Sequence, residues 1–99
     1  MTYRLIIKPY AERDLEEAYV WYNEKQEGLG NRFLEQVERS LQFVEINPQQ
    51  YQFRYKEVRM TKVNRFPFCL HYTIEEDAIF VHAVLSTSRN PEIWRTRTK

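Results

Sequence analysis

The pattern of apolar positions divides the 99-residue chain into a helical first half and a strand-rich second half. A short apolar run, residues 3–8, predicts a strand that Pro9 ends. Apolar residues then recur at helical spacing from about Ala11, and again over residues 30–47 after a glycine turn. Pro48 prevents the second helix from continuing. Two helices joined by so short a turn are expected to lie antiparallel, as a hairpin.

From Tyr51 onward the apolar period falls from 3.6 to 2, which predicts three strands, at about residues 57–61, 65–74 and 79–85. The last two strands each place an apolar set on one face, namely Phe66, Phe68, Leu70, Tyr72 and Ile74, and Ile79, Val81, Ala83 and Leu85. Pairing Ile74 with Ile79 aligns the two sets and puts His71 opposite His82 on the other face. The predicted fold is α+β, in the order β-α-α-β-β-β, with a helical hairpin packed on one face of a small, mainly antiparallel sheet.

Length and composition predict a single domain over residues 1–99 and also bear on the cellular compartment in which the protein works. No apolar run approaches the 18 or so residues that a membrane span requires. The amino terminus has too short an apolar patch and no small-residue site for a cleaved signal peptide. The single cysteine, Cys69, cannot form an internal disulfide, which suits a reducing environment. We therefore expect a cytoplasmic protein.

Charge is distributed unevenly along the chain. Residues 1–50 carry six lysines and arginines and nine acids, a net of −3, whereas residues 51–99 carry nine and five, a net of +4. Such opposed halves indicate that a basic surface in the second half meets a polyanion or an acidic protein. The alternative is that these charges are merely solvated.

Several motifs in the second half, together with the order of elements, resemble the RelE/ParE toxin superfamily, and the ParE side in particular. They are Val58-Arg59, the entry Arg65-Phe66-Pro67-Phe68, the strand Leu70-His71-Tyr72, the acidic turn Glu75-Glu76-Asp77, the strand Ala78 to Leu85, and the ending Arg89-Asn90-Pro91-Glu92-Ile93-Trp94. The resemblance covers nearly the whole chain, and its carboxyl-terminal part is the more specific.

This resemblance implies a toxin of a type II toxin–antitoxin module, associated with growth inhibition and plasmid stabilisation. A cognate antitoxin would neutralise it, in a hetero-oligomer, and no cofactor or metal is implied. ParE-like members poison DNA gyrase, whereas RelE-like members cleave mRNA on the ribosome. Because one fold supports both mechanisms, the fold alone does not choose between them.

If the chain is a ribonuclease, the resemblance points to Arg65 and Arg89 as phosphate clamps. Among the residues present, His82, Glu57 or His71 could then serve as the base. Metal-free cleavage of RNA needs such cations together with acid–base groups. The terminal tyrosine of many RelE-like toxins is absent, because the only aromatic residue after Arg89 is Trp94, whose indole does not exchange a proton near neutral pH.

The last strand ends in Ser86, where many family members carry histidine. His71 and His82 with Cys69 could suggest zinc, but three ligands without a fourth make a weak site, and we expect no metal. Surface or partly covered histidines are the simpler interpretation of the pair.

Two binding surfaces are predicted. The target-facing set is Arg59, Lys62, Arg65, Arg89 and Trp94. The alternative for the arginines is pairing with Glu57, Glu75 or Glu92, although surface pairs stabilise a protein by only about 0–1 kcal/mol. Trp21 and Phe43, if they lie outside the core, are expected to anchor the antitoxin.

Three hypotheses follow. The first is a ParE-like toxin that inhibits gyrase by binding it, without an active site of its own. The second is a RelE-like, ribosome-dependent mRNA endonuclease, and the third is a module on the same fold that binds its partner without being toxic. The missing tyrosine and Ser86 favour the first and third over the second.

Overall fold

Residues 3–87 are described by the structure, a computed structural model, and they form two helices packed on a five-stranded sheet. The elements are β1 (Arg4–Ile7), α1 (Pro9–Lys25), α2 (Leu29–Ile46), a 3-10 turn (Pro48–Gln50), β2 (Phe53–Tyr55), β3 (Val58–Lys62), β4 (Phe68–Glu75) and β5 (Ala78–Ser86). In space the strands follow the order β1-β5-β4-β3-β2, and only the β1–β5 pair is parallel. The α+β class, the helical hairpin and the mainly antiparallel sheet are therefore confirmed. No helix in the described part of the chain is long and apolar enough to cross a membrane.

The helical hairpin is held by a close approach at Gly30. Its amide donates to Asn23 Oδ1 at 2.8 Å, and a Cβ there would lie 2.6 Å from the carbonyl oxygen of Tyr19. The turn before it depends on Gly28, whose φ of 86° lies in the left-handed region that glycine adopts without strain. The predicted glycine turn thus has two functions, one conformational and one steric.

One apolar cluster fills the space between the helices and the sheet. Phe66, Leu70, Tyr72, Ile79 and Val81 belong to it, as the sequence pattern predicts. Tyr22 and Phe33 bring the two helices together over Phe66, with ring centroids 5.0–5.3 Å apart.

Two predictions about the sheet are wrong. β2 was not predicted, because three residues are too few to reveal an alternating pattern. The register Ile74–Ile79 and Tyr72–Val81 is correct, but a bulge then shifts the pairing, so that His71 lies opposite Ala83 and not His82.

The bulge also exchanges the faces of β5. Val84 joins the core, whereas Ala83 and Leu85 lie on the face turned away from the helices, which we call the far face. A bulge adds one residue to one strand, so every later side chain points to the opposite side.

Candidate functional site

Five cations cluster on β2, β3 and the turns that bound them. This cationic surface consists of Arg54, Lys56, Arg59, Lys62 and Arg65. Side chains alternate along a strand, so Lys62, opposite Cys69, lies on the far face, and Arg59, opposite Tyr72, lies on the helix-facing side. The surface therefore wraps around one edge of the sheet.

Arg59 is the most constrained of these cations. Its guanidinium donates to the carbonyl oxygen of Tyr51 at 2.6 Å and to that of Gln49 at 3.3 Å, and its Cζ lies 4.0 Å from the ring centroid of Phe53. The sequence pattern predicts Arg59 on the face of the sheet away from the helices. This prediction is wrong, because the opposition of Arg59 to Tyr72 turns it toward the helices. Arg59 fixes the connection between α2 and β2, and its contact with a target stays a prediction.

Arg65 lies exposed in the connection between β3 and β4. Its φ is 70°, in the left-handed region that side-chain-bearing residues rarely adopt. The Val63 amide closes this connection by donating to the carbonyl oxygen of Phe68 at 2.8 Å. A non-glycine residue held in this region is strained, and such strain concentrates at functional sites.

The alternative that Arg59 and Arg65 serve only to form ion pairs with nearby acids is not supported by the structure. Over residues 3–87 the structure has one ion pair, between Arg4 and Asp77 at 3.3 Å. Neither Glu57 nor Glu75 pairs with Arg59 or Arg65. The third acid considered, Glu92, lies outside the described residues, as do Arg89 and Trp94.

The side chains proposed for RNA cleavage are spread across the sheet. Glu57 precedes the first residue of β3, and Arg65 follows the last, Lys62, so about 16 Å of strand separates Glu57 from Lys62 alone. His82 lies on β5, two strands from β3. Within the described residues, Glu57, Arg65 and His82 therefore do not converge on one point.

His82 is placed by the bulge beside Thr73, with its Nε2 2.8 Å from Thr73 Oγ1. Burial, and secondarily the charge of Lys8, lower the pKa of His82, while Glu75 acts in the opposite direction. The interpretation of the histidines as surface or partly covered residues is right for His82, which is partly buried, and wrong for His71, which is only 1% exposed. In the part of the chain that the structure describes, no three His, Cys, Asp or Glu side chains are grouped so that they could hold a metal ion.

A pocket of about 420 Å³ opens beside the cationic surface at the β2 edge. We call it the edge pocket, and its lining includes Gln52, Phe53, Arg54, Met60, Lys62 and Cys69. Arg54 was not singled out from the sequence. The signal that could have revealed it is its position in a short strand beside Lys62, which becomes visible only once β2 is recognised.

Trp21 and Phe43 are exposed, 53% and 61%, which meets the condition set for partner anchors. They do not form one patch. The two helices meet where Gly30 of α2 approaches Tyr19 of α1. Trp21 lies about 200° around α1 from Tyr19, so it points away from α2. Phe43 lies about 220° around α2 from Gly30, so it points away from α1. The two side chains thus project from opposite flanks of the hairpin.

A second groove of about 400 Å³ lies beside Trp21, between α1 and the end of the β4–β5 pair. Trp21 is oriented there by Lys25, whose Nζ is 4.7 Å from the indole ring, and by edge contact with Tyr22. Glu17, Pro67 and Phe68 are also part of its lining. The groove therefore offers apolar walls with an acidic rim.

Comparison with known proteins gives a family match over most of the chain. The model of the ParE toxin of type II toxin-antitoxin system, parDE, matches residues 5–91. No curated protein matches significantly.

Solved structures share the fold at low sequence identity. A chain from the chromosomal ParDE TA system from P. aeruginosa superimposes with a TM-score of 0.77 at 15% identity, covering 86% of this chain and 96% of that one. The E. coli toxin RelE, as a double mutant in the free state, superimposes with a TM-score of 0.73 at 19% identity. This match covers 98% of this chain and 95% of the RelE chain. A copper-bound mutant toxin from Helicobacter pylori gives 0.54 at 19% identity, covering 89% and 97%. These likenesses confirm the RelE/ParE-like fold.

Proposed function

Because the chain belongs to the ParE toxin family of type II toxin–antitoxin systems, we propose that it is a cytoplasmic toxin that inhibits growth by binding DNA gyrase. A cognate antitoxin neutralises it by forming a complex. The family match over residues 5–91 is the observation that carries this proposal.

The layout of the cationic surface supports binding over cleavage. General acid–base catalysis requires its groups within hydrogen-bond reach of one reacting site, about 2.6–3.2 Å. Glu57 and Arg65 lie beyond opposite ends of β3, and His82 lies two strands away. A large macromolecular target can contact residues spread over such an area, whereas a single phosphate cannot.

In this proposal the target contacts Arg59, Lys62 and Arg65, together with Arg89 and Trp94. Arg65 is the central residue of the set, since it is exposed, without an ion pair within residues 3–87, and held in a strained backbone conformation. The antitoxin contacts Trp21, Phe43 or both, and the groove beside Trp21 provides the apolar surface that a partner segment would cover.

A second candidate is a RelE-like, ribosome-dependent mRNA endonuclease. The observation that favours it is the cationic surface, because cations also stabilise the charge that develops on a phosphate during RNA cleavage. Arg65 and Arg89 would then bind phosphate, with His82 or Glu57 as the base. A third candidate is a partner-binding module without toxicity.

Induced expression in a bacterium that lacks the antitoxin gene separates the three. We expect growth arrest with induction of the DNA-damage response and gyrase trapped on DNA. Rapid arrest of translation with cut messages would instead establish the endonuclease, and normal growth with the protein present would leave the partner-binding module.

Arg65→Ala tests the target surface, with Arg39→Ala, an exposed arginine on α2, as its matched control. We expect Arg65→Ala to relieve the arrest and Arg39→Ala to leave it unchanged. A folded Arg65→Ala protein with full toxicity would show that the assignment of Arg65 is wrong.

The antitoxin surface is tested with the cognate antitoxin, which the proposal expects to be encoded by a short reading frame next to this gene. Coexpression of that protein should restore growth. Trp21→Ala and Phe43→Ala, tested one at a time, should retain toxicity, and at least one should weaken neutralisation. Full neutralisation of both variants would show that neither residue anchors the antitoxin.

A further inference from the structure

We infer that the edge pocket at β2 binds a glutamate or aspartate side chain presented by an acidic segment of the antitoxin. This inference rests on the proposed function, because it assigns a second contact to the same partner. It adds a charged subsite on the far face of the sheet to the apolar groove beside Trp21.

The pocket is built for an anion. Two of its lining residues, Arg54 and Lys62, are cations, and none of its lining residues is an acid. Neither cation has an ion pair within residues 3–87. Gln50 and Gln52 add neutral amide donors to the lining. A carboxylate that enters therefore gains two charge-assisted contacts without displacing an existing partner.

The Cys69 thiol experiences the electrostatic potential inside this pocket. It lies opposite Lys62 on neighbouring strands and belongs to the lining. Burial raises the pKa of the Cys69 thiol, while Lys62 and Arg54 both act to lower it. The two cations thus direct positive potential toward the sulfur, at the place where an anionic ligand would lie.

The aromatic residues of the pocket offer little surface for base stacking. Binding of single-stranded nucleic acid relies on successive aromatic rings on which bases can stack. Arg59 covers one face of Phe53, with 4.0 Å from its Cζ to the ring centroid, and the ring remains 57% exposed. Tyr51 makes an edge contact with Tyr72, with 6.4 Å between centroids. The pocket thus presents one exposed ring rather than a series of them, so its two cations and the free strand edge favour a protein ligand.

The position of the pocket also suits an extended peptide. β2 is the outermost strand of the described sheet on this side. A segment that adds to its edge projects alternate side chains to the same face, so every second residue can reach the side of Arg54 and Lys62.

Cys69, the only cysteine of the chain, allows a direct test on the purified protein. The rate of its reaction with a small disulfide reagent is measured with and without a capped seven-residue peptide, in which alternating threonine and valine flank one central glutamate. Cys69 is only 8% exposed and lines the pocket, so a bound carboxylate both restricts the access of the reagent and raises the pKa of the thiol. A thiol pKa higher by one lowers the thiolate fraction tenfold, but the remaining thiolate is about threefold more nucleophilic. We therefore expect a reaction at least about threefold slower.

Two other probes supply the specificity controls. The same peptide with glutamine in place of glutamate should leave the rate unchanged, and so should hexauridylate. Equal protection by the glutamine peptide, protection by hexauridylate, or no protection by the glutamate peptide would each overturn the inference. Protection by hexauridylate alone would identify the pocket as a nucleic-acid site.

Substitutions then locate the contact. Protection is expressed as the reaction rate with peptide divided by the rate without it. Arg54 and Lys62 are both exposed, and the variants Arg54→Gln and Lys62→Gln should each abolish the protection. Arg39→Gln should retain it. Protection that persists in both pocket variants would overturn the inference, because the peptide would then bind elsewhere.

The outcome is separable from that of the proposed function. Growth arrest by the wild-type chain, without protection of Cys69 by the glutamate peptide, would reject the pocket and leave the toxin assignment standing. Protection without growth arrest would reject toxicity and keep the acid-binding pocket.

Discussion

The carboxylate of Asp14 on α1 accepts a hydrogen bond from the backbone amide of Val84 on β5, at 3.0 Å. β1 pairs with β5 only as far as Ile7 and Val81, so Val84 lies beyond the reach of its neighbouring strand. A buried amide without an acceptor would cost free energy. Asp14, itself only 7% exposed, therefore substitutes for a strand partner and ties the first helix to the sheet.

Replacing Asp14 should destabilise the fold. We expect Asp14→Ala to lower the free energy of unfolding by about 1–3 kcal/mol, because the Val84 amide loses its acceptor. Asp14→Asn keeps a carbonyl oxygen in place and should cost less. Urea denaturation measures both, and equal losses for the two variants would show that the hydrogen bond is not the source of the effect.

The two glycines of the hairpin turn should respond differently to alanine. At Gly30 a Cβ would lie 2.6 Å from the backbone oxygen of Tyr19, so the helices must separate, at a cost of about 1–3 kcal/mol. At Gly28 nothing lies within 4 Å, and only the left-handed φ opposes a side chain, at about 1–2 kcal/mol. Thermal unfolding of the two variants compares them. A change in helix packing, seen by near-ultraviolet circular dichroism, should accompany Gly30→Ala alone.

Arg65→Gly should stabilise the protein while weakening its activity. Glycine adopts a φ of 70° without strain, so we expect a gain of about 0.5–1 kcal/mol in the free energy of unfolding. The loss of the guanidinium should reduce growth arrest if Arg65 contacts the target. Asn64→Gly, a neighbour whose φ is not positive, is the control and should not stabilise. A destabilised Arg65→Gly protein would mean that the arginine side chain itself supports the turn.

The sequence pattern predicted the features that depend on regular spacing. The hairpin and the pairing of Ile74 with Ile79 follow from helical and strand periods that the whole element repeats. The bulge at His82 was not predictable, because β5 is apolar at almost every position and has no clear alternation that an extra residue would interrupt. One bulge then reversed the faces assigned to Ala83, Val84 and Leu85.

The candidate site was only partly predictable, for a related reason. A sequence shows that Arg59 is a cation on a strand, but its acceptors, the carbonyl oxygens of Gln49 and Tyr51, belong to an irregular connection. The edge pocket likewise requires β2, whose three residues carry no periodic signal. Features built from loops and very short strands depend on tertiary contacts that local patterns do not encode.

Tyr72 should make the protein sensitive to alkali. Its hydroxyl donates to the carbonyl oxygen of Pro48 at 2.6 Å, and burial raises the pKa of Tyr72. The unfolded chain ionises its tyrosines near pH 10 and then binds fewer protons than the folded one, so stability falls as the pH rises above about 10.

Tyr72→Phe isolates this effect. At neutral pH we expect a loss of about 1–2 kcal/mol in the free energy of unfolding, because the Pro48 carbonyl loses its donor. Above about pH 10 the decline with pH should be shallower than in the wild type. Urea midpoints measured from neutral to alkaline pH test both. Curves that stay parallel would show that Tyr72 does not cause the alkaline loss.

His82 should govern stability on the acid side. Burial, and then Lys8, lower the pKa of His82 in the folded protein, with Glu75 opposing them. Below about pH 6.5 the unfolded chain binds a proton that the folded chain still excludes, so stability is complete above that pH and declines as the pH falls.

His82→Gln removes the titrating group and keeps a side chain able to reach the Thr73 hydroxyl. We therefore expect a flatter curve of unfolding free energy between about pH 6.5 and pH 5, while all other titrating groups remain in place. An unchanged slope in His82→Gln would locate the acid sensitivity in another group.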